Sequence, residues 1–109
     1  MGGDPSRLER TAGMKALIFL PEARRELDDA EWFSDDAVRF GVEVNSALVD
    51  IVGGRVRPAK IGRGFVRRWI LPRLPCSIIY DDRPDGLVVL AFAHHKQRPG
   101  YWRKRLKTK

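Results

Sequence analysis

Several side chains able to do acid–base or phosphate chemistry fall close together near the C-terminus: His94, His95, Lys96, Arg98 and Tyr101. An imidazole titrates near neutrality and can take or give a proton at working pH. Guanidinium and ammonium groups stabilise the charge that develops on a phosphorane, and a phenol can donate a hydrogen bond. Arg67 and Arg68 add a second basic pair upstream. This inventory suits acid–base chemistry or anion binding at a phosphate. Two adjacent histidines and a distant Cys76 do not form a ligand set, so no metal and no cofactor is expected.

Strand geometry divides these candidates. Neighbouring residues on a strand point to opposite faces, so one of His94 and His95, and one of Arg67 and Arg68, meets a given cleft. The candidate catalytic set is His94, Arg98, Tyr101 and Arg68. Candidate nucleic-acid contacts are Arg63, Arg67, Lys96, Arg103 and Lys104. Arg98 precedes Pro99, which biases it toward an extended conformation that projects its guanidinium. Trp102 is expected to pack on a sheet rather than stack on a base. Cys76 reads as a small buried hydrophobe.

Charge agrees with a polyanionic partner. The 109 residues carry 21 Lys and Arg against 14 Asp and Glu, for a net charge of +7. Through Gly53 there are six bases and eleven acids; from Gly54 onward there are fifteen bases and three acids. A half so basic attracts nucleic acid through counterion release, or an acidic protein surface. A hydrophobic content of 43% supports one compact core and excludes a mainly disordered chain. A single cysteine excludes a disulfide scaffold. The longest apolar runs, 16–20 and 87–93, are far short of a membrane span, and the N-terminus has no signal-peptide core, so a cytoplasmic location with no membrane partner is expected.

The elements that must position these side chains can be placed in order. Residues 1–13 are polar and without periodicity, and read as a disordered leader or a vector remnant; 14–109 read as one domain. Residues 15–20 form an apolar run closed by Pro21, consistent with a buried strand. Pro21 suits the first position of a helix and Glu22 its first turn, with Ala23, Leu27, Ala30 and Phe33 as the apolar stripe. Ser34-Asp35-Asp36 offers caps for a second helix, striped by Val38, Val42, Leu48, Val49 and Val52 and stopped at Gly53-Gly54. Residues 65–71, 76–80 and 87–93 read as strands, the last of them central, with Asp82-Arg83-Pro84-Asp85-Gly86 as a turn. The class is α+β, in the order βααβββ: a helix hairpin packed on a small, twisted antiparallel sheet.

The opening LIFLPEARRELDDAEWF, the later SIIYDDRPDGLVVLAFAHHKQRPGYWRKR and the helix pair between them resemble the RelE/ParE superfamily, the toxin halves of bacterial type II toxin–antitoxin systems. The resemblance spans residues 14–105. It implies the fold just described and a cognate antitoxin that covers the basic surface. RelE-like members cleave messenger RNA on the ribosome and arrest growth; ParE-like members inhibit DNA gyrase without being enzymes. The position three before the strand tyrosine, an arginine in RelE-like nucleases, is Ser77 here. Of a basic pair on the preceding strand only Arg68 remains, the second place being Ile70. The resemblance therefore implies a toxin leaning to metal-independent mRNA cleavage, with gyrase inhibition or simple nucleic-acid binding as the alternatives.

Overall fold

The structure is a computed structural model, and it describes residues 16–62 and 64–108. The candidate leader 1–13 and the candidate contact Arg63 lie outside the described residues. Strand β1 (Ala16–Phe19) leads into helix α1 (Pro21–Trp32) and helix α2 (Ala37–Val52). Strands β2 (Val66–Ile70), β3 (Cys76–Arg83) and β4 (Gly86–His94) follow, and a 3₁₀ segment (Arg103–Thr108) closes the chain.

Local chemistry sets these boundaries. Pro21 stands at the start of α1, where its missing N–H costs nothing, and Glu22 occupies the positive end of the helix. The Asp36 carboxylate caps α2 by accepting from the Arg39 amide at 3.0 Å. Gly54, at φ 76°, takes the left-handed conformation just beyond the end of α2.

The sheet order is β1-β4-β3-β2. β2, β3 and β4 are antiparallel neighbours, as a meander requires, and β4 is an inner strand as its apolar composition predicts. The sheet is mixed rather than wholly antiparallel, because β1 pairs parallel to β4 with Ala16 opposite Gly86 and Phe19 opposite Val89. The helix hairpin carries the chain away from β1, so that strand fills the free edge beside β4. β1 is correspondingly an edge strand and not a buried one: Leu17 and Phe19 pack inward while Ile18 is exposed.

The two sheet faces are covered differently. On one, α1 and α2 bury Ala23, Leu27, Phe40, Val44, Ala47 and Ile51 against Ile78, Tyr80, Val89 and Phe92. Phe40 and Phe92 meet edge-to-face, ring centroids 5.8 Å apart. The buried α2 stripe is 40-44-47-51; of the expected series Leu48 and Val52 pack partly buried against the core, while Val38 is 79% exposed and Val42 and Val49 also face outward. Both series have helical spacing, and the one carrying the larger Phe40 and Ile51 is buried. Phe33 lies beyond the end of α1 and is 82% exposed, so it does not extend the α1 stripe. On the opposite face a smaller core gathers Val66, Ile79, Leu90, Ala91, Ala93 and the buried Trp102, as expected for that indole.

Candidate functional site

A cleft of about 240 Å³ opens on the face that the helices leave uncovered. β2 contributes Arg68, β3 contributes Ser77 and Ile79, and the end of β4 contributes Ala93 and His95. The turn Arg98-Pro99-Gly100 and the following Trp102 and Arg103 form its far wall. Gly100 has φ 77°, and a Cβ there would sit 2.8 Å from Arg103 Nε, so glycine is what lets Arg103 fold back over this wall. The charged side chains on the cleft are Arg68, Arg98 and Arg103, and both histidines border it; none of the described residues lining it is a carboxylate.

Register explains which side chains meet. Ser77 pairs with Ala93, placing both on the cleft face, and Arg68 is paired with Ile79 one strand over. A bulge between Ile79 and Tyr80 leaves Leu90 without an opposite partner in the ladder. Beyond it, Ala91, Ala93 and then His95 follow the cleft face, while Phe92 belongs to the helix-side core. His95 Nε2 lies 3.1 Å from Ser77 Oγ, and Arg68 Nε donates to the same oxygen at 3.4 Å. Arg68, Ser77 and His95 are therefore one hydrogen-bonded chain across three elements.

The structure places the sequence-derived candidates unequally about this cleft. His94 borders the cleft but also lines the helix-side groove of Ala30, Phe33 and Cys76, and its Nδ1 accepts the Lys96 amide at 3.1 Å. His95 is the imidazole joined to the cleft's polar chain. Tyr101 lines the cleft with its ring, but its hydroxyl donates to Glu26 Oε2 at 2.7 Å. Burial and that Glu26 bond push the phenol well above its ordinary range, so it is not a ready proton donor. Arg67 is buried; its Nε donates to Asp82 at 2.9 Å and its Nη1 to the Pro58 carbonyl. That guanidinium secures the loop before β2 and is not presented to a ligand. Arg68 and Arg98 are exposed at the cleft, and the Arg98 guanidinium has no partner among the described residues. Arg103 lines the cleft with its guanidinium 4.9 Å from the Trp102 ring centroid. Lys96 and Lys104 are exposed but do not line it.

Sequence reasoning weighed His95 without selecting it, assigned no role to Ser77 and missed Glu26. The alternation Ala91, Ala93, His95 opposite a bulky Phe92 was the signal for the first. Ser77 was visible only as a departure from a pattern. Glu26 sits on the charged face of α1 with no local cue, yet its carboxylate accepts from the Phe92 amide, Tyr101 and both terminal nitrogens of Arg105. Arg105 also donates to the Leu90 carbonyl, and its hydrogen bonds to Glu26 raise its already high pKa. This cluster fastens the C-terminal segment, and with it the cleft wall, to α1 and β4. Among the described residues no three His, Cys, Asp or Glu side chains come together as a metal site.

No family model matches the sequence, and no curated protein matches it. Solved structures do. The chain superposes on a chain of a "Chromosomal ParDE TA system from P. aeruginosa" with a TM-score of 0.62 and 15% identity. The match covers 76% of this chain and 98% of that one. The fold is RelE/ParE-like. In this RelE/ParE-like fold the helix hairpin covers one sheet face, and the C-terminal segment only partly covers the other. The cleft occupies what remains.

Proposed function

We propose that this protein is the toxin component of a type II toxin–antitoxin system and that it acts by metal-independent cleavage of messenger RNA. The observation that carries the reading is the convergence of Arg68, Arg98, Arg103 and the Ser77-held His95 on one cleft. The RelE/ParE-like fold and the ParDE chain it matches support a toxin. In the reaction a ribose 2′-hydroxyl gives its proton to His95, and its oxygen bonds to the adjacent phosphorus. The 5′-oxygen leaves with a proton from solvent, giving a 2′,3′-cyclic phosphate and a 5′-hydroxyl. The arginines offset the charge that builds on the phosphorane, where preorganised cations contribute most. The cognate antitoxin covers the basic half, whose excess of fifteen bases over three acids suits an acidic segment.

A second reading is inhibition of DNA gyrase by binding alone. Two observations favour it: the matched structure is a ParDE chain, and the Tyr101 hydroxyl is committed to Glu26. Induced expression in a bacterium, with growth and primer extension on an abundant message, separates the two. Cleavage predicts arrest with new cuts on translated RNA, abolished by His95→Gln and unaffected by His94→Gln. Arrest with intact messages, filamentation and DNA damage would refute cleavage and support gyrase.

A further inference from the structure

The cleavage reading treats His95 as the proton-transfer group, and the surrounding geometry says what holds it there. His95 is exposed one residue past β4; its amide still donates to the Pro75 carbonyl at 2.9 Å, but its side chain stands clear of the sheet with several rotamers open to it. Ser77 is almost fully buried in the middle of the sheet, opposite Ala93, so its backbone is held by the β3–β4 ladder and its hydroxyl by close packing and the bonds to Arg68 and His95. We infer that Ser77 is a positioning residue for this reaction: its buried hydroxyl, bonded to Arg68 and His95, fixes the imidazole in the cleft by Nε2 and leaves Nδ1 to the substrate.

The hydrogen-bond inventory supports the assignment. A hydroxyl oxygen has two lone pairs and can accept from Arg68 Nε–H and His95 Nε2–H together. With its proton on Nε2, the ring presents an unprotonated Nδ1, which is the form a base needs. The same serine sets Arg68, so one buried oxygen aligns the base and a phosphate-binding cation. The charged groups facing His95 are Arg68 from β2 and Arg98 and Arg103 from the C-terminal wall, with His94 beside it on the chain. None is an acceptor able to compete with Ser77 for the Nε2 proton except the ring of His94, whose Nδ1 is occupied by the Lys96 amide. A serine at this place thus has a role of its own.

The test uses the full chain labelled with ¹⁵N. Two-bond ¹H–¹⁵N spectra report the tautomer of each imidazole. Wild-type His95 is expected to show one tautomer, protonated at Nε2. Ser77→Ala moves its nitrogen resonances toward those of a freely exchanging imidazole, while His94 stays put and reports an intact fold. Ser77→Thr, which keeps the hydroxyl, retains the wild-type pattern. In RNA cleavage, Ser77→Ala lowers kcat roughly tenfold to a hundredfold with a smaller rise in KM as Arg68 loses its anchor, and Ser77→Thr restores most of both. His95 resonances unmoved by Ser77→Ala, or a kcat left intact, would overturn the inference. A wild-type chain that cuts no RNA overturns the cleavage reading instead, and the nitrogen resonances then uphold or overturn the Ser77 contact on their own.

Discussion

Removing the Glu26 carboxylate should unfasten the C-terminal segment, and the cost can be worked from its contacts. Glu26 accepts from the Phe92 amide at 3.1 Å, the Tyr101 hydroxyl at 2.7 Å and the Arg105 terminal nitrogens at 3.0 and 2.9 Å, the last two forming a parallel fork. Hydrogen bonds to charged groups contribute about 1.5–3 kcal/mol each, but those sharing one carboxylate do not add. Breaking a fully buried pair by deleting one partner costs about 3–5 kcal/mol. The Glu26 and Arg105 side chains are 18% and 13% exposed, so water partly compensates and the low end applies. Glu26→Ala is therefore expected to lose about 3 kcal/mol, and Glu26→Gln less, since its carbonyl still accepts from Tyr101 or Phe92. Urea unfolding reads the free energy directly, with an unchanged slope if the folded state stays compact. In a domain of this size the loss corresponds to a drop in Tm of roughly 10–20 °C. A double-mutant cycle with Arg105→Met isolates the pair. A loss below about 1 kcal/mol with no coupling in the cycle would mean the pair behaves as a screened surface bridge, and the fastening argument would fail.

Other expectations follow from the same contacts. Arg68→Ala and Arg98→Ala should each reduce the salt dependence of RNA binding by about one unit of slope, because each removes one phosphate contact. Arg67→Met should leave that slope unchanged but lower stability, as it removes the 2.9 Å bond to Asp82 and the tie to the Pro58 carbonyl, with Arg57 still 3.7 Å from Asp82; an equal effect on the slope would show that Arg67 reaches the ligand. Burial pushes the Cys76 thiol up to about 11, so native protein should resist alkylation near neutral pH and react only on unfolding. Stability should fall above pH 9: burial raises Cys76 from 9.0 to about 11, burial and Asp82 raise Tyr80 from 10.0 to about 12, and Tyr101 is raised too. The unfolded chain loses these protons first, so stability is full below the unfolded values and declines as pH climbs toward the folded ones. Urea titrations giving a flat free energy from pH 9 to 11 would refute this.

The order of elements was legible because each carries its own local signal: Pro21 and Glu22 for α1, Asp36 for α2, and β-branched runs divided by Pro and Asp-Gly for the strands. What sequence could not supply was the choice between equivalent stripes and the partners across strands. Val38, Val42 and Val49 have the same helical spacing as Phe40, Val44, Ala47 and Ile51, and only packing against Phe92 and Ile78 decides between them. Alternation separated the two arginines, Arg68 lying on the cleft and Arg67 off it, whereas both histidines border it and only His95 bonds to Ser77. It could not say which histidine, because the bulge at Leu90 shifts the phase of β4 just before its end. The parallel pairing of β1 is a long-range fact with no local trace.

The same bulge ties fold to site. Without it, the residues after Leu90 would exchange faces, sending His95 toward the helix hairpin and His94 toward Ser77. The bulged strand instead delivers two small residues, Ala91 and Ala93, to the uncovered face, and small side chains are what leave room for a cleft there. Trp102 and Leu106 cover only part of that face, held in place through Arg105 and Glu26. A longer or more apolar C-terminal segment would bury the sheet more fully and remove the cleft. The fold therefore gives up apolar burial on one face and gains a basic opening, with no carboxylate among its described lining residues, in which a buried serine fixes an exposed histidine. That exchange is hard to account for by stability alone, and it is the strongest reason to seek the function on this face.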